Sequence, residues 1–289
     1  MFVGACGIAV RSIAPFVKSK KIDPAVVVVD EQGQFAISLL SGHIGGANEL
    51  TEEIAEILRA QPVITTATDL NDKFAVDVFA KKNGCFISDM ELAKEISASL
   101  LAGKEVGFVS DFPWLGEIPD ELKLCQKEDE EKPEIGICVT TGYLEHPFVH
   151  TLYLIPRVIT TGLGCKKGTD KETVESVVRR ACDELLIPSV AMEQVASIDL
   201  KKEEAGILEY CKERKIPFIT YTAEELQEVE GTYASSQFVE NVTGVDNVCE
   251  RAALLGSSKD GKGRLIQRKY AKDGVTVALA MKKWSVNFE

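Results

Sequence analysis

Two glycine-rich segments of the chain carry side chains suited to binding an anion and activating water. The first runs from Ser41 to Glu49 and contains His43 among three glycines. Backbone amides of such a loop can point at an anion at the start of the following helix. A neutral imidazole can also accept a proton from water. His43 is therefore a candidate general base, and the alternative that it only hydrogen-bonds the loop backbone stays open.

The second segment, from Gly162 to Thr169, places glycines and two lysines before a predicted helix. A helix N-terminus with nearby lysines favours anion binding. The glycine spacing matches neither the phosphate-binding P-loop nor the dinucleotide fingerprint. Cys165 lies beside Lys166 and Lys167 at a helix start, where a thiol would have a lowered pKa and could be a nucleophile. With no base in view, the preferred interpretation is a packed, inert thiol.

Two further segments carry polar groups near predicted strand ends. Gly4 to Arg11 contains two glycines that permit close backbone approach, and the Arg11 guanidinium can bind a carboxylate through two hydrogen bonds. The alternative is a tight turn with Arg11 at the surface. Thr66 and Asp69 follow another predicted strand, where they either line the same cleft or cap the next helix.

The elements that must position these segments alternate between strand and helix. β-Branched stretches predict strands, and apolar residues at helical spacing predict helices. In the first part the pattern predicts a hairpin over 24–30 and 35–40, a helix over 47–58, a strand over 62–66 and a helix over 72–82. Weaker signals follow, with a helix over 90–101 and strands over 106–109 and 135–139.

The pattern sharpens again towards the end of the chain. It predicts a strand over 158–161, a glycine-rich turn over 162–168, a helix capped at Thr169 and ending near 186, a strand over 190–198, a helix over 200–215, a strand over 217–221, a helix over 244–255 and a hairpin over 265–269 and 275–281. A second capping box is predicted at Thr222.

This alternation predicts an α/β protein in three parts. We expect an N-terminal α/β domain over 1–87, a small middle module or linker over 88–153, and a C-terminal α/β domain with a mostly parallel sheet over 154–289. The chain opens on residues typical of the exit from a strand. We therefore expect the N-terminal domain to lack its first elements.

Composition limits the class of ligand. The 289 residues include 33 Lys and Arg against 45 Asp and Glu, for a net charge of −12. Nucleic acids and anionic membranes bind basic surfaces, so neither is an expected partner, and an anionic ligand needs a local site. The sequence has no apolar run of about 18 residues and no export signal, which predicts a cytoplasmic protein. Eight scattered cysteines and three histidines predict neither a disulfide framework nor a metal site.

Four motifs, taken in their order, resemble the CbiG family of cobalt-precorrin-5A hydrolases from the anaerobic route to vitamin B12. They are Gly4–Arg11, Ser41–Glu49, Thr65–Asp69 and Gly162–Thr169. The stretch Val242–Glu250 also fits, and the C-terminal domain is similar to the stand-alone protein CobE. The resemblance covers almost the whole chain and is weakest over 88–153. Family members carry a further α/β stretch before the first motif and usually a proline where this chain has Arg251.

The resemblance implies a cobalt-bound, ring-contracted tetrapyrrole as substrate. Water opens its ring A δ-lactone, and acetaldehyde leaves to give cobalt-precorrin-5B. Because the substrate carries the cobalt, no separate cofactor is expected. His43 is then the first choice for general base, Glu49 is the alternative base, and Ser41 and Asn48 are orienting or oxyanion groups. The expected substrate-binding residues are Arg11, Gly45, Gly46, Thr66, Asp69, Gly162, Gly164, Cys165, Lys166, Lys167, Gly168 and Thr169.

Two other functions stay open at this point. One is a non-catalytic protein that binds or carries a tetrapyrrole of the same pathway. The other is a nucleotide-binding α/β protein, which the absence of both phosphate fingerprints from the sequence disfavours. Expected partners are the small-molecule substrate and either a second copy of the chain or neighbouring enzymes of the pathway in transient contact.

Overall fold

The computed structural model describes residues 1–19, 22–42, 45–65, 74–126, 129–143, 145–258 and 263–289, without the side chains of 238 and 239. Helices and mixed sheets alternate along these residues, which confirms the predicted α/β class. Three of the predicted site residues, His43, Thr66 and Asp69, lie outside the described residues. None of the helices in the described ranges combines the length and apolar character needed to cross a membrane.

The N-terminal region is a four-stranded sheet built around a buried run of valines. Its elements are β1 (Phe2–Val3), α1 (Cys6–Ile13), β2 (Val26–Val29), β3 (Phe35–Leu40), α2 (Ala47–Leu58) and β4 (Gln61–Val63). Strands β2 and β3 form the predicted hairpin, and β1 and β4 pair in parallel with its two sides. The Asp30 carboxylate closes the hairpin by accepting N–H bonds from Gln34 and Phe35 at 2.7 and 2.6 Å. Helix α2 has the predicted bounds.

The middle region, where the sequence pattern is weak, forms a five-stranded sheet in the order β5-β10-β9-β6-β8. All neighbours pair in parallel except β5 with β10. Its elements are α3 (Val76–Lys82), β5 (Cys85–Ile87), α4 (Met90–Leu101), β6 (Val106–Ser110), β7 (Trp114–Leu115), β8 (Leu122–Leu124), β9 (Ile135–Val139) and β10 (His150–Pro156). Asp89 caps α4 by accepting from the N–H groups of Glu91 and Leu92.

The C-terminal region is a second five-stranded sheet, in the order β13-β12-β11-β15-β14. Its elements are β11 (Ile159–Cys165), α5 (Lys171–Asp183), β12 (Met192–Ile198), α6 (Ala205–Arg214), β13 (Phe218–Tyr221), α7 (Ala223–Gln227), α8 (Gln237–Thr243), α9 (Val248–Ser257), β14 (Arg264–Lys272), β15 (Val275–Met281) and β16 (Val286–Asn287). The expected parallel pairing holds for β11, β12 and β13. The hairpin β14–β15 adds two antiparallel pairings, so the sheet is not mostly parallel.

Several predicted boundaries in this region are wrong, among them the start of the helix predicted over 200–215, which begins at Ala205. The glycine-rich turn starts later than expected, because β11 continues to Cys165 in register with β15. Helix α5 is capped by Asp170, which accepts from the Thr173 N–H, while the Thr169 hydroxyl donates to the Lys166 carbonyl at 2.8 Å. The helix predicted over 244–255 begins only at Val248, because the Asn247 side chain caps α9 by accepting from the Glu250 N–H at 2.9 Å.

The last residues of the chain join the middle and C-terminal regions. Strand β16 pairs in parallel with β7 of the middle region. The Asn83 amide and the backbone of Asn287 exchange two hydrogen bonds of 2.9 and 2.7 Å. The Phe288 ring stacks on Phe79 with 4.8 Å between ring centroids. The two sheets therefore share one continuous apolar core.

Candidate functional site

The clearest concentration of positive charge surrounds a cavity of about 720 Å³ in the C-terminal region. The cavity lies where β11 ends and where the hairpin β14–β15 turns. We call it the lysine cavity, because it is lined by Lys166, Lys167, Lys201, Lys269 and Lys272. Apolar side chains complete its lining, among them Ile198, Val242, Val248 and Val275. It combines an apolar surface with a cationic rim.

The hairpin turn holds the first of these lysines in place. Asp273 and Gly274 both have positive φ values, of 49° and 80°, as a two-residue hairpin turn requires. The carbonyl of Gly274 accepts the Lys166 N–H at 3.0 Å. A Cβ on Gly274 would lie 3.0 Å from Cδ of Lys166, so the lysine stem packs directly over the glycine. Glycine in the turn therefore makes room for a lysine at the edge of the cavity.

Only one lysine of the cavity forms an ion pair within the part of the chain that the structure describes. Lys201 Nζ lies 2.9 Å from Oε1 of Glu204, and Oε2 of Glu204 accepts the Gly168 N–H at 3.0 Å. Burial alone would raise the pKa of Glu204, but these two hydrogen bonds and the more distant charge of Lys167 lower it on balance. The remaining lysines keep their charge available for a ligand.

The cysteines at the lysine cavity are not activated. Burial raises the pKa of the Cys165 thiol, although Lys201 opposes the shift. Burial also raises the pKa of Cys249 to about 11. The lowered pKa that lysine charge could give Cys165 is not found, because desolvation outweighs that charge. The structure favours the packed, inert thiol.

The two strand glycines of this segment have different surroundings. Gly162 is buried in β11, and a Cβ on it would overlap the Cys249 carbonyl of α9. It thus permits close contact between α9 and the sheet, and it does not line the lysine cavity. Gly164 does line the cavity, together with Cys165, Lys166 and Lys167. Gly168 and Thr169 follow in the turn, outside the lining, and the Gly168 amide is occupied by Glu204.

The described residues of the first glycine-rich segment, 41–42 and 45–49, lie at the start of α2, and we call the segment 41–49 the glycine loop. The Ala47 N–H binds the Ser41 carbonyl at 3.1 Å, and the Asn48 N–H binds the Gly42 carbonyl at 3.0 Å. The buried Asn48 side chain accepts the Ser38 hydroxyl at 2.6 Å. The Ser41 hydroxyl is buried without a hydrogen-bond partner in the described structure. A Cβ on Gly45 would overlap the Ser41 side chain.

Opposite charges flank the N-terminus of α2. Gly46, with φ 83°, is the N-cap residue, and the exposed Glu49 lies in the first turn. A Cβ on Gly46 would lie 3.5 Å from Lys81 Nζ and 3.8 Å from Glu49 Oε2. Arg11 is exposed in the last turn of α1. None of these residues is among those that line the lysine cavity, so the described parts of the two glycine-rich segments do not share that cavity.

Family models and curated relatives match along nearly the whole chain. Three models of cobalamin synthesis protein G match consecutive ranges: the N-terminal model 1–69, the central-region model 74–156 and the C-terminal model 159–280. The cobalt-precorrin-5A hydrolase of Salmonella typhimurium is 37% identical, over 97% of this chain and 81% of its own length. This chain belongs to the cobalamin synthesis G (CbiG) family.

Other relatives agree with this assignment. The cobalt-precorrin-5A hydrolase of Priestia megaterium is 36% identical, over 94% of this chain and 76% of its own length. Protein CobE of a Sinorhizobium species is 32% identical over 123 residues, which are 42% of this chain and 79% of CobE. The resemblance to both CbiG and CobE that the motifs predict is confirmed.

The motifs of this CbiG protein miss part of the lysine cavity. Lys201, Lys269 and Lys272 line it, but they lie far from the Gly162–Thr169 motif in sequence. Only the pairing of β15 with β11 brings β14 and its lysines to this end of the sheet. The predicted turn at Asp273–Gly274 is the one sequence signal that marks the hairpin. It gives no sign of which strand the hairpin joins.

Between its middle and C-terminal regions, this CbiG protein also has a cavity that the sequence does not indicate. It measures about 470 Å³ and lies beside the carboxyl ends of β6 and β9. The chain leaves β6 towards β8 and leaves β9 towards β10, on opposite sides, and ligands of α/β sheets often bind at such a point. At this point the Thr140 hydroxyl donates to Asp111 at 2.5 Å.

Proposed function

We propose that this chain is a cobalt-precorrin-5A hydrolase that opens the ring A δ-lactone with water and releases acetaldehyde. Curated proteins of that name are 36–37% identical over more than nine-tenths of the chain. The structural observation that carries the proposal is the lysine cavity, which gives a protein of net charge −12 a local cationic site. The substrate brings its own cobalt, so the proposal needs no further cofactor.

The lysine cavity suits a flat polycarboxylate. Acetate and propionate groups around the macrocycle would meet the ammonium groups of Lys166, Lys167, Lys269 and Lys272, while the ring covers the apolar lining. A single exposed ion pair contributes only about 0–1 kcal/mol. Several lysines around one cavity are therefore needed to give useful affinity, and salt should weaken the binding.

We assign water activation to the glycine loop from the chemistry of its residues, so the proposal requires the ring A lactone of a substrate bound at the lysine cavity to reach this loop. His43 is the proposed general base, with Glu49 as the alternative, because each can accept a proton from water. Asn48 supports the loop, since its side-chain oxygen holds Ser38 and its N–H holds the Gly42 carbonyl. The Ser41 hydroxyl lacks a partner in the described structure, so a substrate oxyanion that reached it would gain a hydrogen bond.

The reaction requires two bond cleavages in sequence. Hydroxide from the activated water adds to the lactone carbonyl, and collapse of the tetrahedral intermediate breaks the C–O bond to leave a carboxylic acid, which then loses its proton to solvent, and an alkoxide. The alkoxide then forms the carbonyl of acetaldehyde as its C–C bond to the ring breaks. The electron pair of that bond passes into the macrocycle, which takes up a proton. The protein needs to supply mainly water activation and positioning.

The decisive experiment is anaerobic turnover of cobalt-precorrin-5A by the purified protein. Acetaldehyde is trapped as its hydrazone, and the macrocycle is followed by mass spectrometry. We expect acetaldehyde and the opened macrocycle in equal amounts, at a rate proportional to protein concentration. The matched variant Lys104→Ala/Lys212→Ala removes two exposed lysines outside the cavity and should behave like the wild type. Release of acetaldehyde no faster than without protein would contradict the proposal.

The similarity to CobE over 42% of the chain supports a second candidate function, that of a tetrapyrrole carrier. In that case the protein would bind and deliver the tetrapyrrole without catalysis. Stoichiometric binding of cobalt-precorrin-5A with no acetaldehyde above the spontaneous rate would support this carrier function. The cytoplasmic location, and contact with a second copy or with neighbouring enzymes, stay predictions.

A further inference from the structure

A fully buried carboxylate lies directly behind the lysine cavity. Glu250 is in the first turn of α9, with 0% of its surface exposed. Its Oε2 accepts from the Asn247 side-chain amide at 2.9 Å and from the Ala234 N–H at 3.1 Å. Its Oε1 accepts from the Lys269 N–H at 2.8 Å. One carboxylate therefore joins a helix, the segment before α8 and strand β14.

The bond to Lys269 occurs at an irregularity of the sheet. The pairing of β14 with β15 shifts register between Gln267 and Tyr270. Strand β14 is at the edge of its sheet, so an N–H that turns away from β15 has no further strand to meet. Glu250 accepts this N–H and thereby fixes the backbone of Lys269 relative to α9.

Two of the three residues that donate hydrogen bonds to Glu250 line the lysine cavity. Lys269 and Asn247 line it, whereas Glu250 does not. The neighbouring Arg251 reinforces the same wall, since its Nε donates to Asp246 at 3.1 Å and its guanidinium donates to the Val229 carbonyl at 2.7 Å. Movement of Glu250 would therefore change the position of a cavity lysine without removing any group that a ligand can touch.

We propose that Glu250 is a positioning residue for substrate binding, which places the Lys269 ammonium at the rim of the lysine cavity. This inference rests on the proposed function, because it takes the cavity to bind the carboxylates of the substrate. Lys272 provides the internal comparison. It lies on the same strand and lines the same cavity, but it makes no bond to Glu250.

The test is a pair of double-mutant cycles. Glu250→Gln places an amide N–H against N–H donors and should break the bond to Lys269. We expect it to raise KM up to about fivefold, the effect of misplacing one exposed lysine that pairs with a substrate carboxylate, with kcat within about twofold of the wild type. Lys269→Ala should raise KM by a similar factor, and the double variant by no more than Lys269→Ala alone. In contrast, the effects of Glu250→Gln and Lys272→Ala should multiply.

Two measurements keep the test decisive. Circular dichroism melting checks that each variant folds. If Glu250→Gln does not fold, Glu250→Asp replaces it, because aspartate keeps the charge but is too short to bind all three donors. The dissociation constant of dicyanocobyrinic acid, a stable cobalt corrin with seven carboxylates, is measured for the same variants. If the wild type shows no turnover, the proposed hydrolase activity fails, and this binding cycle still tests the role of Glu250. Independent, multiplying effects of Glu250 and Lys269 would overturn the inference, as would a lowered Tm with unchanged KM and dissociation constant.

Discussion

The two glycine-rich segments look alike in sequence and differ in structure. In the glycine loop, the backbone conformation requires glycine at Gly46, which has φ 83°, and Ser41 of the same loop also has a positive φ of 60°. In the second segment, Gly162 and Gly164 are extended within β11, and Gly162 is needed because α9 packs directly against it. A glycine shortly before a helix therefore has two physical meanings, a left-handed loop or a close contact between layers.

The two regions also differ in the charges of their side chains. The described part of the glycine loop has Glu49 at a helix start, with Lys81 nearby. The lysine cavity has five lysines and an apolar lining. This contrast leads us to assign proton transfer to the glycine loop and carboxylate binding to the cavity. Substitutions that alter one step and spare the other test that division.

The largest effect is expected at His43. His43→Ala should lower kcat by roughly 100-fold or more, as for loss of a general base, with KM within about twofold of the wild type. Steady-state turnover of cobalt-precorrin-5A measures both constants. Glu49→Gln is the matched comparison and should have a smaller effect on kcat. If His43→Ala retains near-wild-type kcat while Glu49→Gln loses it, Glu49 is the base.

Next in size is the effect of filling the close contact under α9. Gly162→Ala should lower the free energy of unfolding by about 2–4 kcal/mol, because its Cβ would overlap the Cys249 backbone carbonyl, which cannot rotate away. Gly164→Ala is the control. Its Cβ would lie 2.6 Å from the Thr276 Oγ1, a side-chain atom that can turn aside, so we expect about 1 kcal/mol. Urea unfolding measures both values, and equal losses would contradict the claim that the backbone of α9 requires glycine at 162 and not at 164.

Local sequence signals predict the short-range parts of this fold well. Apolar spacing alone gives the bounds of α2 and α4, and Asp273–Gly274 marks the hairpin turn. Such features depend on residues within a few positions of one another. The extent of β11 does not, because Gly162 to Cys165 become strand by pairing with residues 275–278. The predicted turn over 162–168 is wrong for that reason.

The candidate site was predictable only in part, because it too depends on contacts between residues far apart in the sequence. Lys166 and Lys167 lie within a recognisable motif. Lys269, in contrast, lines the cavity from an irregular part of β14, where its N–H binds the buried Glu250. Burial likewise decides the state of Cys165, since desolvation raises its pKa despite nearby lysines. Neither the register of an edge strand nor the burial of one thiol can be read from neighbouring residues.

A moderate effect on binding is expected from the cavity lysines. Lys166→Ala/Lys167→Ala should raise KM about tenfold, at about 1 kcal/mol or less for each lysine, and leave kcat within about twofold. The loss should shrink as salt screens the wild-type interaction. KM measured at two ionic strengths, beside the control pair Lys104→Ala/Lys212→Ala, checks this. A fall in kcat larger than the rise in KM would instead place these lysines in the chemical step.

The smallest expected effect is on the reactivity of the Cys165 thiol, which distinguishes a residue that only lines the cavity from a nucleophile. Since only the thiolate reacts and burial raises the pKa of Cys165, its alkylation by iodoacetamide at pH 8 should be a few-fold slower than that of free cysteine, and should approach it as pH rises above the usual thiol pKa. Lys201→Ala should slow the reaction further, because Lys201 lowers the pKa. Peptide mass spectrometry of the labelled protein gives the rates. Alkylation faster than that of free cysteine would make Cys165 a candidate nucleophile and move part of the chemistry into the lysine cavity.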